Sequence, residues 1–243
     1  MRKVVATLLV LIGTGVFVHG QSNFESQRSL YQVLTDKMAE NYNKLEEKQL
    51  YDDDFSKNPL IFKEWRYGQM RFTDGQVIDS LMINYDDNDQ SLLVTVSVGV
   101  EPLVVAAGKV KSFTFYQMPD TYYRPIPEEE FESIDRKMGF FEQLVGGEKE
   151  LGISLVKMYV KKFRDADDQL NYGSFKAEDK FDSFERYYLS TDGGKYRKIN
   201  LGKKTIQSLL GKSKMKEAQS YLKSKNLKWG DEWALIMILK EFM

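Results

Sequence analysis

The first candidates for chemistry are four carboxylates in five residues, Glu128, Glu129, Glu130 and Glu132. Glycoside hydrolysis needs two carboxyl groups roughly 5–10 Å apart across a sugar, one of them kept protonated by its surroundings. Tyr122, Tyr123 and Trp65 would then be available to stack on sugar rings. The run follows Pro125-Ile126-Pro127, so it reads more simply as the solvated start of a short helix, whose positive end favours acids. A second acidic group, Asp52-Asp53-Asp54, lacks the spaced oxygens and the glycine of a calcium loop and reads as a linker.

The rest of the catalytic repertoire is thin. The chain has no cysteine, and its one histidine is His19, within the segment read below as a signal peptide. Without His or Cys the remaining chain has no histidine-activated nucleophile, no histidine general base and no ordinary zinc site. No metal or other cofactor is expected.

Lysine supplies the other candidate site. Residues 195–228 hold eleven Lys or Arg and one acid, Glu217, in a chain of 35 basic and 36 acidic residues overall. Lys203, Lys204, Lys212, Lys214, Lys216, Lys223, Lys225 and Lys228 therefore form a basic region in an otherwise acidic molecule. Lysines without arginine forks or interleaved aromatics read bases poorly, so nucleic acid is not the expected partner. Outside the cytoplasm the available anions are an acidic envelope protein, a glycan or a lipid headgroup. The plain alternative is a solvated helix face.

The start of the chain places it outside the cytoplasm. Arg2 and Lys3 precede an uncharged apolar run over 4–18, and small or polar residues then lead to Gln21. This is the order of a secretory signal, with Val18 and Gly20 before the cut. Fifteen residues, two of them glycine, fall short of the roughly 20 that a spanning helix needs. No later segment is long and apolar enough to span, so no transmembrane segment is expected after cleavage. The expected location is the periplasm, the outer membrane or the cell surface.

The elements that must position these groups follow from periodicity. Leu30, Leu34, Met38 and Leu45 recur at near-helical spacing within 24–48. After Pro59 the pattern becomes strands. Residues 66–72 and 76–85 flank the hairpin turn Thr73-Asp74-Gly75. In the next strand Leu92, Val94, Val96 and Val98 alternate with Leu93, Thr95 and Ser97, which predicts one buried face. Strands at 104–106 and 111–116 continue the meander, and the proline-rich stretch 118–137 is expected to interrupt it. Strands resume at 140–145 and 151–163. A last hairpin pairs 184–189 with 196–201 across Asp192-Gly193-Gly194. Tyr187, Tyr188, Phe113 and Phe115 are read as structural aromatics of the sheet. Helices follow at 205–210 and 213–225, broken at Gly211. A final helix, capped by Asp231, carries Trp233, Leu235, Ile236, Ile238, Leu239 and Phe242, an apolar width that implies burial.

The ordered pieces Asn58-Pro59-Leu60, Glu64-Trp65, Phe72-Thr73-Asp74-Gly75, Lys111-Ser112-Phe113, Phe140-Phe141-Glu142-Gln143-Leu144-Val145 and the last hairpin into Lys203-Lys204 resemble a group of exported Bacteroidota proteins. The resemblance covers the chain from about residue 58 onward. It implies a β-rich periplasmic or surface protein and supplies no catalytic residues.

The fold class expected is α+β: a meandering antiparallel β-sheet, able to curl toward a barrel, with an N-terminal helix and C-terminal helices packed on it. Four segments follow: a signal peptide (1–20), a helix and linker (21–57), an antiparallel β domain (58–202) and a helical segment (203–243). The function expected is non-enzymatic binding of another protein or an anionic envelope component. The alternatives are a carrier enclosing a lipid or other apolar ligand and, third, a carboxylate-based glycoside hydrolase.

Overall fold

The computed structural model describes residues 55–87, 89, 91–97, 102–134, 138–147, 152–166 and 178–243. The expected signal peptide, the helix expected over 24–48 and Asp52-Asp53-Asp54 lie outside these residues. Ten strands make one antiparallel sheet: β1 (Arg66–Phe72), β2 (Val77–Asp86), β3 (Ser91–Thr95), β4 (Leu103–Val105), β5 (Val110–Phe115), β6 (Met118–Pro127), β7 (Met138–Val145), β8 (Ile153–Arg164), β9 (Lys180–Thr191) and β10 (Arg197–Ile199). Their order is β10-β9-β8-β7-β6-β5-β1-β2-β3-β4, so every strand lies beside its sequence neighbours except at the β1–β5 seam. Three helices follow, α1 (Lys203–Leu210), α2 (Met215–Ser224) and α3 (Glu232–Phe242).

Turn chemistry sets the first hairpin. Gly75 takes φ +91°, a backbone conformation that costs glycine nothing. The Asp74 carboxylate accepts from the Gln76 N–H at 2.9 Å, and the Phe72 N–H closes the loop onto the Gln76 carbonyl. The sheet then curls without closing. Asp87, just past β2, accepts from the Lys161 backbone N–H on β8 at 2.8 Å. The inside of the curl is filled by aromatic rings, with Phe62 edge-on to Phe115, Tyr123 and Tyr159, and Phe113 stacked on Tyr123 at 4.9 Å. Asn84 holds Phe62 there by exchanging two hydrogen bonds with its backbone.

Three expectations need correction. The β3 residues Leu92, Leu93, Val94 and Thr95 are all buried, so this strand is covered on both faces, not one. The first half of the stretch 118–137, which holds all three prolines, does not interrupt the sheet: it is β6, between β5 and β7, and the ladder breaks only after Pro127, at a 3-10 turn. Proline lacks an N–H and is tolerated where no ladder bond is required. Only Tyr123 of β6 has a partner on both sides; from Arg124 to Pro127 the pairing is to β7 alone. Pro125 and Pro127 are two residues apart, so their missing donors fall on one edge, which the single-sided pairing can leave unpaired.

The third correction is Trp233, which is 62% exposed on α3, whereas Leu235, Ile238 and Leu239 are buried. A helix of 3.6 residues per turn places Trp233 on the stripe of Met237 and Lys240, away from the sheet. Asp231 does precede the helix, but its side chain turns back to the Lys228 N–H at 2.7 Å; only its carbonyl accepts from Ala234 and Leu235. The helices cover Ile153, Leu155 and Leu189, making a second core with Ile206, Leu210, Ala218 and Leu222. A third core lies on the opposite face, where Phe131, Phe141, Val156, Met158 and Tyr188 pack together.

Candidate functional site

The helical cap presents the lysines that the sequence singles out. Ile206 and Leu210 of α1 and Ala218 and Leu222 of α2 point into the core, which leaves the remaining faces to solvent. Lys203, Lys204, Lys212, Lys214, Lys216, Lys223, Lys225 and Lys228 are all exposed. Among the described residues none of the eight ammonium groups lies within 4 Å of a carboxylate; the Asp231 carboxylate meets only the backbone N–H of Lys228. Their other contacts are weak: Lys214 donates to the Phe242 carbonyl at 3.3 Å, Lys203 lies 5.8 Å from the Trp229 ring and Lys225 5.9 Å from the Tyr221 ring. The charges therefore reinforce one another. Arg197 and Lys198 of β10 are exposed as well, and the exposed Trp233 opens the helix that follows Lys228.

Beneath the cap is an ionic group that the sequence reading missed. On one face of the sheet the registers line up Tyr187, Lys157, Glu142, Tyr123, Phe113 and Met70 across six strands. The Lys157 ammonium is 3.1 Å from Glu142 and 3.0 Å from Glu232, the first residue of α3. Tyr159 donates to Glu142 at 2.5 Å, and the Tyr187 hydroxyl lies 2.6 Å from Glu185 and 2.8 Å from Glu232. Burial alone would pull the Lys157 ammonium down, but the two carboxylates together outweigh it and hold it above the usual lysine value. Burial pushes the Tyr159 and Tyr187 phenols up, and their carboxylate partners push the same way. The signal in the sequence was a single charge in each of two apolar runs, Lys157 within Ile153–Val160 and Glu142 within Phe140–Val145. Such a charge requires a buried partner.

A lysine held in its charged form is no nucleophile, and two carboxylates engaged by one ammonium are not free to serve as acid and base. The outer end of the network borders a groove of about 400 Å³ lined by Ile61, Tyr159, Lys161, Ser183, Phe184 and Glu185.

The carboxylates proposed for sugar hydrolysis are not gathered around a buried centre. Glu128, Glu129 and Glu130 form a single 3-10 turn with no buried residue, and Glu132 beyond it is also exposed. Tyr123, expected as a sugar platform, is fully buried against Phe113. Phe113, Phe115, Tyr187 and Tyr188 are buried as structural aromatics. No group of three or more metal-ligating side chains occurs among the described residues, and no helix among them is long and apolar enough to cross a membrane. Comparison of the chain with protein-family models, curated protein sequences and solved structures finds no match.

Proposed function

We propose that the protein is an exported, non-enzymatic binding protein whose lysine-faced helical cap docks on an anionic component of the envelope, with lipid headgroups the best fit. One observation carries this reading: eight lysines exposed on a helical cap, with none of their ammonium groups paired to a carboxylate among the described residues. Lysine is a compact, hydrated point charge, suited to a diffuse anionic surface more than to a shaped ligand. The exposed Trp233 supports the same reading, since tryptophan favours the membrane–water interface, where its ring is apolar and its N–H wet. The carrier reading is less well supported, because aromatic rings fill the inside of the curl. The hydrolase reading is weaker still, with Glu142 and Glu232 committed to Lys157.

The test is flotation with phosphatidylglycerol vesicles against phosphatidylcholine vesicles. Binding should require the anionic lipid and weaken as salt rises, since exposed charges act over about 10 Å at 0.1 M. Each lysine near such a surface contributes about 1 kcal/mol. Losing three in K212E/K214E/K216E should therefore weaken binding by about two orders of magnitude. Their exposure means the fold should be unaffected. A folded triple variant that floats as well as the parent overturns the proposal.

A further inference from the structure

On the face of the sheet opposite the ionic network, Arg124 projects from β6 into a cleft of about 440 Å³, with Ser154, Ser190, Tyr196 and glycines of the β-turns on its walls. Its guanidinium makes two hydrogen bonds, Nε to the Gln143 side-chain oxygen at 3.0 Å and Nη2 to the Tyr196 hydroxyl at 2.7 Å. No carboxylate comes within 4 Å of it among the described residues. Guanidinium carries five N–H donors, so three remain without an acceptor among the described residues, and the cleft leaves them accessible.

The partners of Arg124 are themselves fixed. Gln143 donates to the Val145 carbonyl at 2.7 Å and to Ser154 Oγ at 2.9 Å, which orients its oxygen toward Arg124. Tyr196 is clamped by backbone bonds on both sides, its N–H to the Glu130 carbonyl and its carbonyl to the Glu132 N–H. The hydroxyls of Ser154 and Tyr196 lie 2.7 Å apart. Tyr196 already accepts from Arg124 and Ser154 from Gln143, so whichever donates to the other, one hydroxyl hydrogen is left over. A positive charge, three N–H donors and a spare O–H thus converge on a pre-formed polar cleft. Among the described residues Glu130 is the one acid in its lining, and it is exposed.

We infer that this cleft is a binding site for a small polar oxyanion, the phosphate or carboxylate of a hydroxylated molecule, with Arg124 as its anchor. A guanidinium fork matches both anions, and the volume lies in the range of small-ligand sites and exceeds what a bare ion fills. The site is separate from the lysine cap.

Calorimetry of the whole chain with glucose 6-phosphate, glucuronate and glucose tests it. One or both anions should bind saturably and glucose should not; which anion binds identifies the group recognised. R124Q should weaken binding about tenfold or more, the loss expected for hydrogen bonds to a charged group. E130Q, on the surface, should tighten it a few-fold by removing a competing negative charge. K212E/K214E/K216E should leave it unchanged, which separates this site from membrane docking. In the unaltered chain the Arg124 Nε–H resonance should shift on titration, a readout that stands even if R124Q does not fold. Absence of saturable anion binding, equal binding of glucose, a folded R124Q with parental affinity or an unmoved Arg124 resonance would each overturn the inference.

Discussion

Lys157 occupies the middle of a strand because two carboxylates from elsewhere in the fold meet its ammonium there. With side chains only 8% exposed, Lys157 and Glu142 depend on each other far more than a surface pair does. Removing one partner of a buried pair costs about 3–5 kcal/mol where it strands the other charge, but Lys157 keeps Glu232 at 3.0 Å when Glu142 is lost. Glu142→Gln is therefore expected to lose about 1.5–3 kcal/mol by urea unfolding, the range for hydrogen bonds to a charged group. Glu232→Gln should lose less, because that side chain is 24% exposed and water screens the ammonium it leaves. An E142Q protein within about 0.5 kcal/mol of its parent, the ordinary surface range, would mean the pair is solvated after all.

At the level of elements, the final helix divides into a face that holds the molecule together and a face that does not. Leu239 is buried with Leu235 and Ile238, and Leu239→Ala should cost about 2–5 kcal/mol. Trp233→Ala should shift stability by no more than about 0.5 kcal/mol, as surface changes do. Thermal melting of the two variants decides, and equal losses would mean that Trp233 is packed. The helix itself was legible from its apolar density, but its orientation was not: apolar side chains nearly all round α3 leave the periodicity little contrast to report. The first hairpin was legible because Asp74-Gly75 encodes its own turn. Strand β6 was not, because proline signals a break in the local sequence while the single-sided pairing that tolerates it is a tertiary fact. Arg124 was missed for a similar reason: what marks it is the absence of a nearby carboxylate among the described residues, which depends on three strands and a loop. The eight lysines were legible because a run of like charge is visible without knowing the fold.

For the molecule as a whole, the buried ionisable groups set a limit at alkaline pH. Burial, with neighbouring carboxylates, pushes the Tyr123, Tyr159 and Tyr187 phenols up, and the carboxylates hold Lys157 up. The folded chain therefore keeps protons that the unfolded chain releases near pH 10. The stability these groups contribute is fully present below that pH and is lost as pH rises further. Lys161, whose ammonium burial pulls down, works in the opposite sense, one group against four. The urea midpoint should hold to about pH 9 and fall steeply above about pH 10, with a shallower fall in Y159F/Y187F. A midpoint level to about pH 11 would contradict this assignment. The unclosed sheet has another consequence, for encounters between copies of the protein. Among the described residues two edges stay open, and an open edge is a template on which a stray strand can extend the ladder into an aggregate. Here β4 and β10 are three residues long each, and β10 sets the exposed Arg197 and Lys198 on its rim. A foreign strand finds room for only a bond or two on either side, and on one of them a repelling charge if it comes from another copy. Edges this short give an open ten-stranded sheet little on which a fibre could grow, where a longer bare edge would invite one.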